Sequence, residues 1–540
     1  MSSISIRVEN LSKVFKNGKV GLHGCSFEIE SSTLTAILGP SGCGKSTLLK
    51  TLLGDIPKTS GRIHIQGIEL NDENYDLIKT HIGYVPQDDI VHKDLTVEQC
   101  LTFSAHLRLS DFSYEVQKQR VKEVLHELNI EKLKDEPISE ISGGQRKRVA
   151  IGVEILTKPR ILFLDEPTSP LDPQTIEEFL KILENLCING TTVVMVTHKP
   201  EDLEYMDECL FMGVGGFLTF KGKPTELKSY FNKENIVKIY ADMDQPKSIE
   251  YFSNRYMAEC KKLSLIKSNI STFNPKRHTN YLSQTFWLIA RYLSRKLNDL
   301  GTLLIQIVQA LVIAVLVILT FDKLDQTVLF FIVISAIWFG TNNAAKEIVS
   351  EKNIFKRERR YNQGIIPYLI SKITVLSLIG LIQSLIFIAI LQLKFKHQEV
   401  QLENPFSVTL WMFYLTIVSS LFGLALSAVS KNVEKVMGLI PIALIPQIML
   451  SGIMVPLKLA VVKVPSFMLI SRWAMTGICR VQDNIHDIIR DESSSSLDFM
   501  RRNLGQTYDL MSGFQFEGFV LTIQALFYFI LIYLTLEERN

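Results

Sequence analysis

Long apolar runs, separated by short polar segments, divide the second half of the chain. Six runs contain no charged residue, and they cover 301–320, 327–345, 373–393, 404–430, 436–457 and 518–536. A helix needs about 20 apolar residues to cross the hydrocarbon core of a bilayer. A charge near the bilayer centre costs roughly 2.5–3.5 kcal/mol on insertion scales, so unbroken runs are informative. The pattern predicts an all-α membrane domain of six spans within residues 301–540.

The first 240 residues have mixed polarity and predict a globular domain. Leu34–Leu38, Ile161–Leu164 and Thr191–Val196 are short apolar runs that suit buried parallel strands. Residues 241–280 are polar with mixed charge and no apolar period, which predicts a linker.

Residues 281–300 precede the first span and begin with an amphipathic pattern. Aromatic and aliphatic residues alternate there with Arg291, Arg295 and Lys296. This favours a connecting helix that lies along the membrane surface. A surface helix of a soluble domain is the alternative, and it is disfavoured because the first apolar run follows at once.

Composition narrows the function classes. A chain of 540 residues is too long for one core. The net charge of +2 and the pI near 8.0 give no indication of a nucleic-acid partner. The seven cysteines form no CxxC pair, which argues against a metal site of that type. Only Cys479 is expected to face outward, where it either pairs between two chains or serves as a buried small hydrophobic residue.

A glycine-rich loop follows the first buried strand. It reads Gly39-Pro40-Ser41-Gly42-Cys43-Gly44-Lys45-Ser46 and leads through Thr47 into a predicted helix start. Backbone N–H groups of such a loop surround phosphate oxygens, and the helix N-terminus adds partial positive charge. We expect Lys45 to reach the β- and γ-phosphates of a nucleotide and Ser46 to bind Mg²⁺.

Two acidic residues end a second apolar strand. Asp165 is placed to join the Mg²⁺ shell, and Glu166 is placed to polarise an attacking water. A third strand ends at Thr197-His198, at the edge where open α/β sheets bind ligands. The three motifs together predict an α/β P-loop NTPase domain that binds ATP and Mg²⁺.

These residues, with others between them, resemble the nucleotide-binding domain of ABC transporters over roughly 5–240. The further matches are Gln87 in the glutamine loop, the signature Ser142-Gly143-Gly144-Gln145, Asp172 in the D-loop and the switch His198. The resemblance implies catalytic roles for Glu166, His198, Gln87 and Lys45, and Mg²⁺ contacts from Ser46, Gln87 and Asp165. It implies nucleotide contacts from residues 39–47, Ser142–Gln145 and Asp172, and a head-to-tail pair with two composite sites. Phe15 sits where the family stacks an aromatic ring on adenine, although a core position is the alternative.

The membrane half resembles that of the G-type, or White-type, half transporters. ATPase-first order, six spans and a long outer loop before the last span match that group, and the charged segment 351–358 matches its coupling helix. A solvated charged loop is the alternative for that segment. Lys352, Lys356 and Arg357 lie between the second and third spans, so the positive-inside rule predicts that both termini are cytosolic.

Several polar and aromatic residues within spans are candidate functional groups. Gln306 and Gln309 share one face of the first span, and interhelical hydrogen bonding is their simplest interpretation. In G-type transporters the second and fifth spans line the central cavity. This makes Trp338, Phe339 and Gln447 cavity candidates and places Ile453-Met454 at an outer valve. Lipid-facing packing is the alternative for each.

We therefore expect a multi-pass membrane protein that works as a dimer of half transporters, most simply a homodimer. It would bind membrane lipids and export lipids or other hydrophobic or amphipathic molecules. A second hypothesis is that it passes ATP-driven motion to an outer partner without moving a substrate. A soluble ABC ATPase of translation is excluded by the apolar spans.

Overall fold

The computed structural model describes residues 4–169, 171–260, 280–396, 401–402, 404–451, 464–481 and 515–538. The chain divides into two compact units. Unit 1 comprises Met1–Asn280 together with Arg360–Asn362, and unit 2 comprises Tyr281–Arg359 and Gln363–Asn540. The globular and membrane halves expected from the sequence correspond to these units, except that three residues between the second and third spans belong to unit 1.

Unit 1 contains two sheets. Its strands are β1 Ile4–Val14, β2 Val20–Glu30, β3 Leu34–Leu38, β4 Ser60–Ile65, β5 Ile68–Glu69, β6 Ile82–Val85, β7 Ile161–Asp165, β8 Thr192–Val196, β9 Glu208–Gly213 and β10 Phe217–Gly222. The antiparallel sheet has the order β2-β1-β4-β5, and the larger sheet has the order β10-β9-β3-β8-β7-β6. Strands β9, β3, β8, β7 and β6 are parallel. Every residue of β3, β7 and β8 is buried, as their apolar runs predict.

The helices of unit 1 begin at recognisable caps. They are α1 Lys45–Leu52, α2 Tyr75–Ile78, α3 Val97–Arg108, α4 Tyr114–Glu127, α5 Gly143–Ile155, α6 Pro173–Ile188, α7 Leu227–Tyr230, α8 Ile236–Asp242 and α9 Pro246–Cys260. Thr96 caps α3 and Ser142 caps α5, each in a capping box with a glutamine three residues later. Because parallel strands end at one edge of the sheet, the segments after β3, β7 and β8 lie near one another.

The predicted linker at 241–280 is wrong over much of its length. Helix α9 occupies Pro246–Cys260 within unit 1, where Ile249 and Tyr256 are buried. Ile249 lies against Gly213. A Cβ added to Gly213 would lie 3.0 Å from the Ile249 side chain. The Tyr256 hydroxyl donates to the carbonyl of Ser26 at 2.8 Å. An apolar contact of Ile249 and a hydrogen bond of Tyr256, seven residues apart, hold the helix. The polar residues around them conceal this face in the sequence.

Unit 2 is helical throughout the part that the structure describes. Its helices are α10 Tyr281–Asn298, α11 Leu300–Thr320, α12 Gln326–Ala344, α13 Lys352–Arg359, α14 Ile365–Phe395, α15 Pro405–Val429, α16 Val433–Met449, α17 Ile470–Val481 and α18 Gln515–Glu538. Among the described residues, α11, α12, α14, α15 and α18 are long and apolar enough to cross a membrane.

The structure changes two of the six predicted spans. The helix of the third predicted span, α14, begins at Ile365 rather than at 373. The charged residue Lys372 had marked the start of the charge-free run, but it lies inside the helix in a buried ion-pair cluster. The fifth predicted span, 436–457, corresponds to the 17-residue helix α16, which contains Pro441 and Pro446. Residues 452–457 lie outside the described part of the chain. Five spans are thus supported by length, and the count of six is not confirmed.

Helix α10 forms as predicted, but its charged face is buried. Leu282 is 84% exposed and Phe286 is 62% exposed, whereas Arg291 is buried. Ion pairs join basic residues of α10 and α14 to three glutamates, two of which precede α13 while the third lies within it. The pairs are Arg291–Glu358 at 2.5 Å, Lys296–Glu347 at 2.7 Å, Lys372–Glu351 at 2.8 Å, and Arg295–Glu351. Burial acts to raise the pKa of Glu347, but Lys372 and Lys296 hold that pKa at about 2. Glu347 therefore stays ionised and the cluster stays paired.

Replacing Tyr256 by alanine tests whether α9 is part of unit 1. Losing a buried aromatic side chain and its hydrogen bond should lower the free energy of unfolding by about 3–5 kcal/mol. Thermal inactivation of ATP hydrolysis by the full chain measures this loss. Tyr251→Ala is the matched control, since Tyr251 is on the same helix but is 63% exposed. Equal inactivation temperatures for the two variants would contradict the packing of α9.

Candidate nucleotide site

The phosphate loop joins β3 to α1 as its sequence predicts. Gly44 caps α1 with φ +106°, a backbone conformation that favours glycine. The ammonium of Lys45 is buried and donates to the carbonyls of Gly39 at 2.7 Å and Pro40 at 2.9 Å. The Cys43 side chain is buried, and burial raises the pKa of its thiol. The loop thus encloses its lysine beside a helix N-terminus, which is a suitable arrangement for phosphate.

The acidic end of β7 lies beside the start of α1. The Ser46 hydroxyl donates to Asp165 Oδ1 at 3.5 Å. Burial raises the pKa of Asp165, as does the adjacent Glu166 carboxylate, while Lys50 opposes both effects. A buried carboxylate beside a hydroxyl provides the oxygen ligands that Mg²⁺ prefers. These residues therefore fit the predicted metal.

Two further predicted residues converge on the carboxylate of Glu166. Gln87 Nε2 donates to Glu166 Oε2 at 3.4 Å, and His198 Nδ1 lies 3.6 Å from the same oxygen. Glu166 has φ +47°, and its N–H donates to the carbonyl of Val196 on β8 at 3.0 Å. A glutamate held in the left-handed region is strained, and such strain often occurs at functional sites.

Phe15 lies close to the first turn of α1. If Gly21 carried a Cβ, that atom would lie 2.7 Å from Phe15 Cε2 and 3.0 Å from the methyl group of Thr47. The three residues are therefore neighbours. Lys13 Nζ is 5.5 Å from the centre of the Phe15 ring. The ring is only partly buried. This position beside the phosphate loop agrees better with a nucleotide-facing ring than with a core aromatic.

The signature and the D-loop act as helix caps in the single chain. The Ser142 hydroxyl accepts from the N–H of Gln145, whose side chain accepts from the N–H of Ser142 at 2.9 Å. Asp172 caps α6 by accepting from the N–H and hydroxyl of Thr175 at 3.1 and 2.6 Å. Among the described residues, no hydrogen bond or ion pair joins either cap to the phosphate loop. Pro170 lies outside the described residues.

Two buried charged residues that no sequence motif predicts position the site. Lys147 on α5 donates to the carbonyl of Gln87 at 2.7 Å and pairs with Asp89 at 2.8 Å, so it holds the glutamine loop. Asp202 accepts hydroxyl bonds from Thr168 at 2.8 Å and Thr197 at 2.5 Å, which ties the segments after β7 and β8 together. The sequence signal for Lys147 is its place two residues after the signature.

The predicted membrane-cavity residues have different surroundings within unit 2. Trp338 is 40% exposed on α12, but Phe339 is buried in unit 2 with its ring edge-on to Phe387. Gln447 is buried and accepts from the N–H of Ser471 at 2.9 Å. Phe339 and Gln447 thus pack within this chain, and a cavity-lining role for them stays a prediction. Ile453 and Met454 lie outside the described residues.

Cys479 is also a packing residue. It is buried within the hydrophobic core of unit 2 and forms no disulfide in the structure. This agrees with the interpretation as a small buried hydrophobic residue, and it leaves no exposed thiol on α17 for pairing between chains.

Comparison with known proteins agrees with this geometry. Residues 22–169 match the family described as ABC transporter, and residues 283–479 match the family described as ABC-2 type transporter. The chain belongs to the ABC transporter family. Its ATPase-first order is that of the G-type half transporters, and the identification of the ATP-hydrolase domain is confirmed at the level of the family.

Individual relatives cover the chain to different extents. ABC transporter ATP-binding/permease protein Rv1747 of Mycobacterium tuberculosis is 32% identical over 81% of this chain and 53% of its own length. ABC transporter G family member 22 of Arabidopsis thaliana is 38% identical over 39% of this chain and 29% of its own length. The structure of cbiO1 from Clostridium perfringens aligns with 47% of this chain and 99% of its own, at 29% identity and a TM-score of 0.41. The chain thus spans about half the length of Rv1747 and less than a third of the length of the G family member.

Replacing Lys147 by methionine tests its role in holding the glutamine loop. Methionine retains the length of the side chain but removes the ammonium that donates to Gln87, so ATP turnover should fall about tenfold or more with little change in nucleotide affinity. Turnover and binding of a fluorescent ATP analogue measure the two effects. Lys181→Met, at an exposed position on α6, serves as the control. Unchanged turnover in Lys147→Met would show that the loop does not depend on this contact.

Proposed function

We propose that the chain is an ATP-driven transporter of the G type that works as a pair of half transporters. The observation that supports it best is the meeting of Gln87 and His198 at Glu166, beside a phosphate loop, in a chain that continues into membrane-length helices. Mg²⁺ would be bound by Ser46, Gln87 and Asp165. When bound, it neutralises charge on the phosphates of ATP.

The protein's own residues divide the hydrolytic step among them. Glu166 orients and polarises the attacking water, while His198 and Gln87 fix the position of its carboxylate. Lys45 leaves its loop carbonyls and balances the charge of the β- and γ-phosphates. Phe15 stacks on the base, and Lys147 and Asp202 hold the surrounding loops.

The signature residues support a two-chain site. Ser142–Gln145 and Asp172 match family positions that contact nucleotide held by another copy, and no bond joins them to this chain's own phosphate loop in the described residues. All predicted catalytic positions hold competent residues. A homodimer with two active sites is therefore the simplest assembly.

A short insertion into unit 1 supports mechanical coupling. Arg360–Asn362 follow α13 of the membrane unit yet belong to unit 1. The Tyr361 hydroxyl donates to Glu154 Oε2 at 2.6 Å, and the guanidinium of Arg108 lies 3.7 Å from the centre of the Tyr361 ring. Arg360 pairs with Asp55 and lies over the ring of Tyr84. Arg360–Asn362 are continuous in sequence with α13 and α14, so we expect this segment to be the route by which movement within unit 1 is transmitted.

Lipids or other hydrophobic or amphipathic molecules are the proposed substrates, and export is the proposed direction. Trp338 is a large apolar side chain left exposed on α12, a helix that is otherwise mostly buried. Both termini would then be cytosolic, with the ATPase unit. Transmission of ATP-driven motion to an outer partner, without a transported substrate, is the second candidate. It predicts ATP turnover that no hydrophobic molecule stimulates.

Glu166→Gln should abolish most ATP hydrolysis but leave ATP binding intact. The amide cannot accept a proton from water as a carboxylate does, so turnover should fall about 100-fold or more. Phosphate release and binding of a fluorescent ATP analogue measure the two effects. Near-normal turnover would contradict the assignment of Glu166 as the base.

The transport proposal is tested by ATP turnover in lipid nanodiscs with a panel of lipids, sterols and hydrophobic drugs. We expect stimulation by one chemical class, and Trp338→Ala should alter that stimulation while basal turnover stays within about twofold, because the site in unit 1 is untouched. Turnover that no compound stimulates would contradict transport and favour the outer-partner function.

A further inference from the structure

Four amide residues, two of which are joined through their side chains, lie on three packed helices of the membrane unit and are called the amide cluster here. Gln306 and Gln309 are on α11, Asn343 is on α12 and Gln383 is on α14. Gln383 Nε2 donates to the backbone carbonyl of Gln306 at 2.7 Å, and Gln383 Oε1 accepts from Asn343 Nδ2 at 2.8 Å. Gln383 is fully buried and links the three helices. Gln309 lies one turn further along α11, on the same face as Gln306.

Three polar atoms of this cluster lack a hydrogen-bond partner among the described residues. They are Gln306 Oε1, Gln309 Nε2 and Asn343 Oδ1. The residues Gln306 and Asn343 are only 6% and 4% exposed. In hydrocarbon no bulk water satisfies such atoms, so unpaired amides are disfavoured there. Two acceptors and one donor are left for a group that both donates and accepts.

The surroundings limit what that group can be. None of the four side chains has a formal charge, so nothing in the cluster balances an ion. Gln306 is six residues past Leu300, or about 9 Å along the helix. The neighbouring face of α11 exposes Leu304, Ile305 and Val308, and Gln309 is partly exposed beside it. A neutral polar group can therefore approach from the apolar side of α11.

We propose that this amide cluster binds a hydroxyl group within the membrane. The hydroxyl donates to Gln306 Oε1 or Asn343 Oδ1 and accepts from Gln309 Nε2. Water and the alcohol group of an amphipathic molecule, such as a sterol, share this chemistry. The second source rests on the proposed transport function, because it makes the cluster a recognition point for hydroxylated substrates.

The sign of a stability change tests whether the site is occupied. Gln306→Met keeps the size of the side chain but removes its amide, and Gln306 makes no side-chain hydrogen bond within the described residues. If a hydroxyl occupies the site, the melting temperature of the full chain in nanodiscs should fall by about 2 °C or more. Gln392→Met calibrates the loss of a paired amide, because Gln392 Nε2 donates to the carbonyl of Leu402 at 3.1 Å. A rise in melting temperature for Gln306→Met would overturn the proposal, since it would mean that an unpaired amide had been removed.

Sterols in the nanodisc distinguish the two sources. If an alcohol binds, cholesterol should raise the melting temperature of the wild-type chain, cholesterol methyl ether should not, and Gln306→Met should remove the difference. If Gln306→Met lowers the melting temperature and the two sterols act alike, water is the bound hydroxyl. A difference between the sterols that persists in Gln306→Met would overturn the assignment to this cluster. The stability measurement does not use ATP turnover, so the site is tested even if the proposed transport fails.

Discussion

The buried carboxylate of Glu154 is the contact on which the proposed coupling depends. It accepts from the N–H of Tyr84 on β6 at 3.3 Å, from Arg108 on α3 at 2.9 Å and from the Tyr361 hydroxyl at 2.6 Å. Strand β6 ends two residues before Gln87, which contacts Glu166. Burial and the neighbouring carboxylate raise the pKa of Tyr361, so its hydroxyl remains a donor. Glu154 thus joins β6, α3 and Tyr361 within unit 1, and removing the Arg108 guanidinium would take away the ion pair of a buried carboxylate.

Much of the geometry of the candidate site could be predicted from the sequence because its residues lie directly at the ends of buried strands. Asp165, Glu166 and His198 needed only the expectation that parallel strands end at one edge. Lys147 and Asp202 could not be found in this way, because each acts on a loop that is distant in sequence. Their importance comes from tertiary hydrogen bonds to Gln87, Thr168 and Thr197, which no local pattern encodes.

The membrane half shows where hydropathy alone is insufficient. Charge-free runs located most spans, but Lys372 lies inside α14 because Glu347 and Glu351 neutralise it. Hydropathy also could not show that Phe339 and Gln447 face the chain's own core, since period and polarity do not identify a neighbour. The predicted linker failed for a related reason: two buried side chains, Ile249 and Tyr256, are enough to hold α9 in a polar sequence.

All four tryptophans are in unit 2, so tryptophan fluorescence, excited selectively at long wavelength, originates in the membrane unit alone; they are Trp287, Trp338, Trp411 and Trp473. The most direct measurement is the change in tryptophan emission on adding Mg²⁺ and ATP to the hydrolysis-deficient Glu166→Gln chain in nanodiscs. We expect a change in emission that disappears when Tyr361→Phe is added, although binding of a fluorescent ATP analogue remains. An emission change that persists without the Tyr361 hydroxyl would contradict coupling through Glu154.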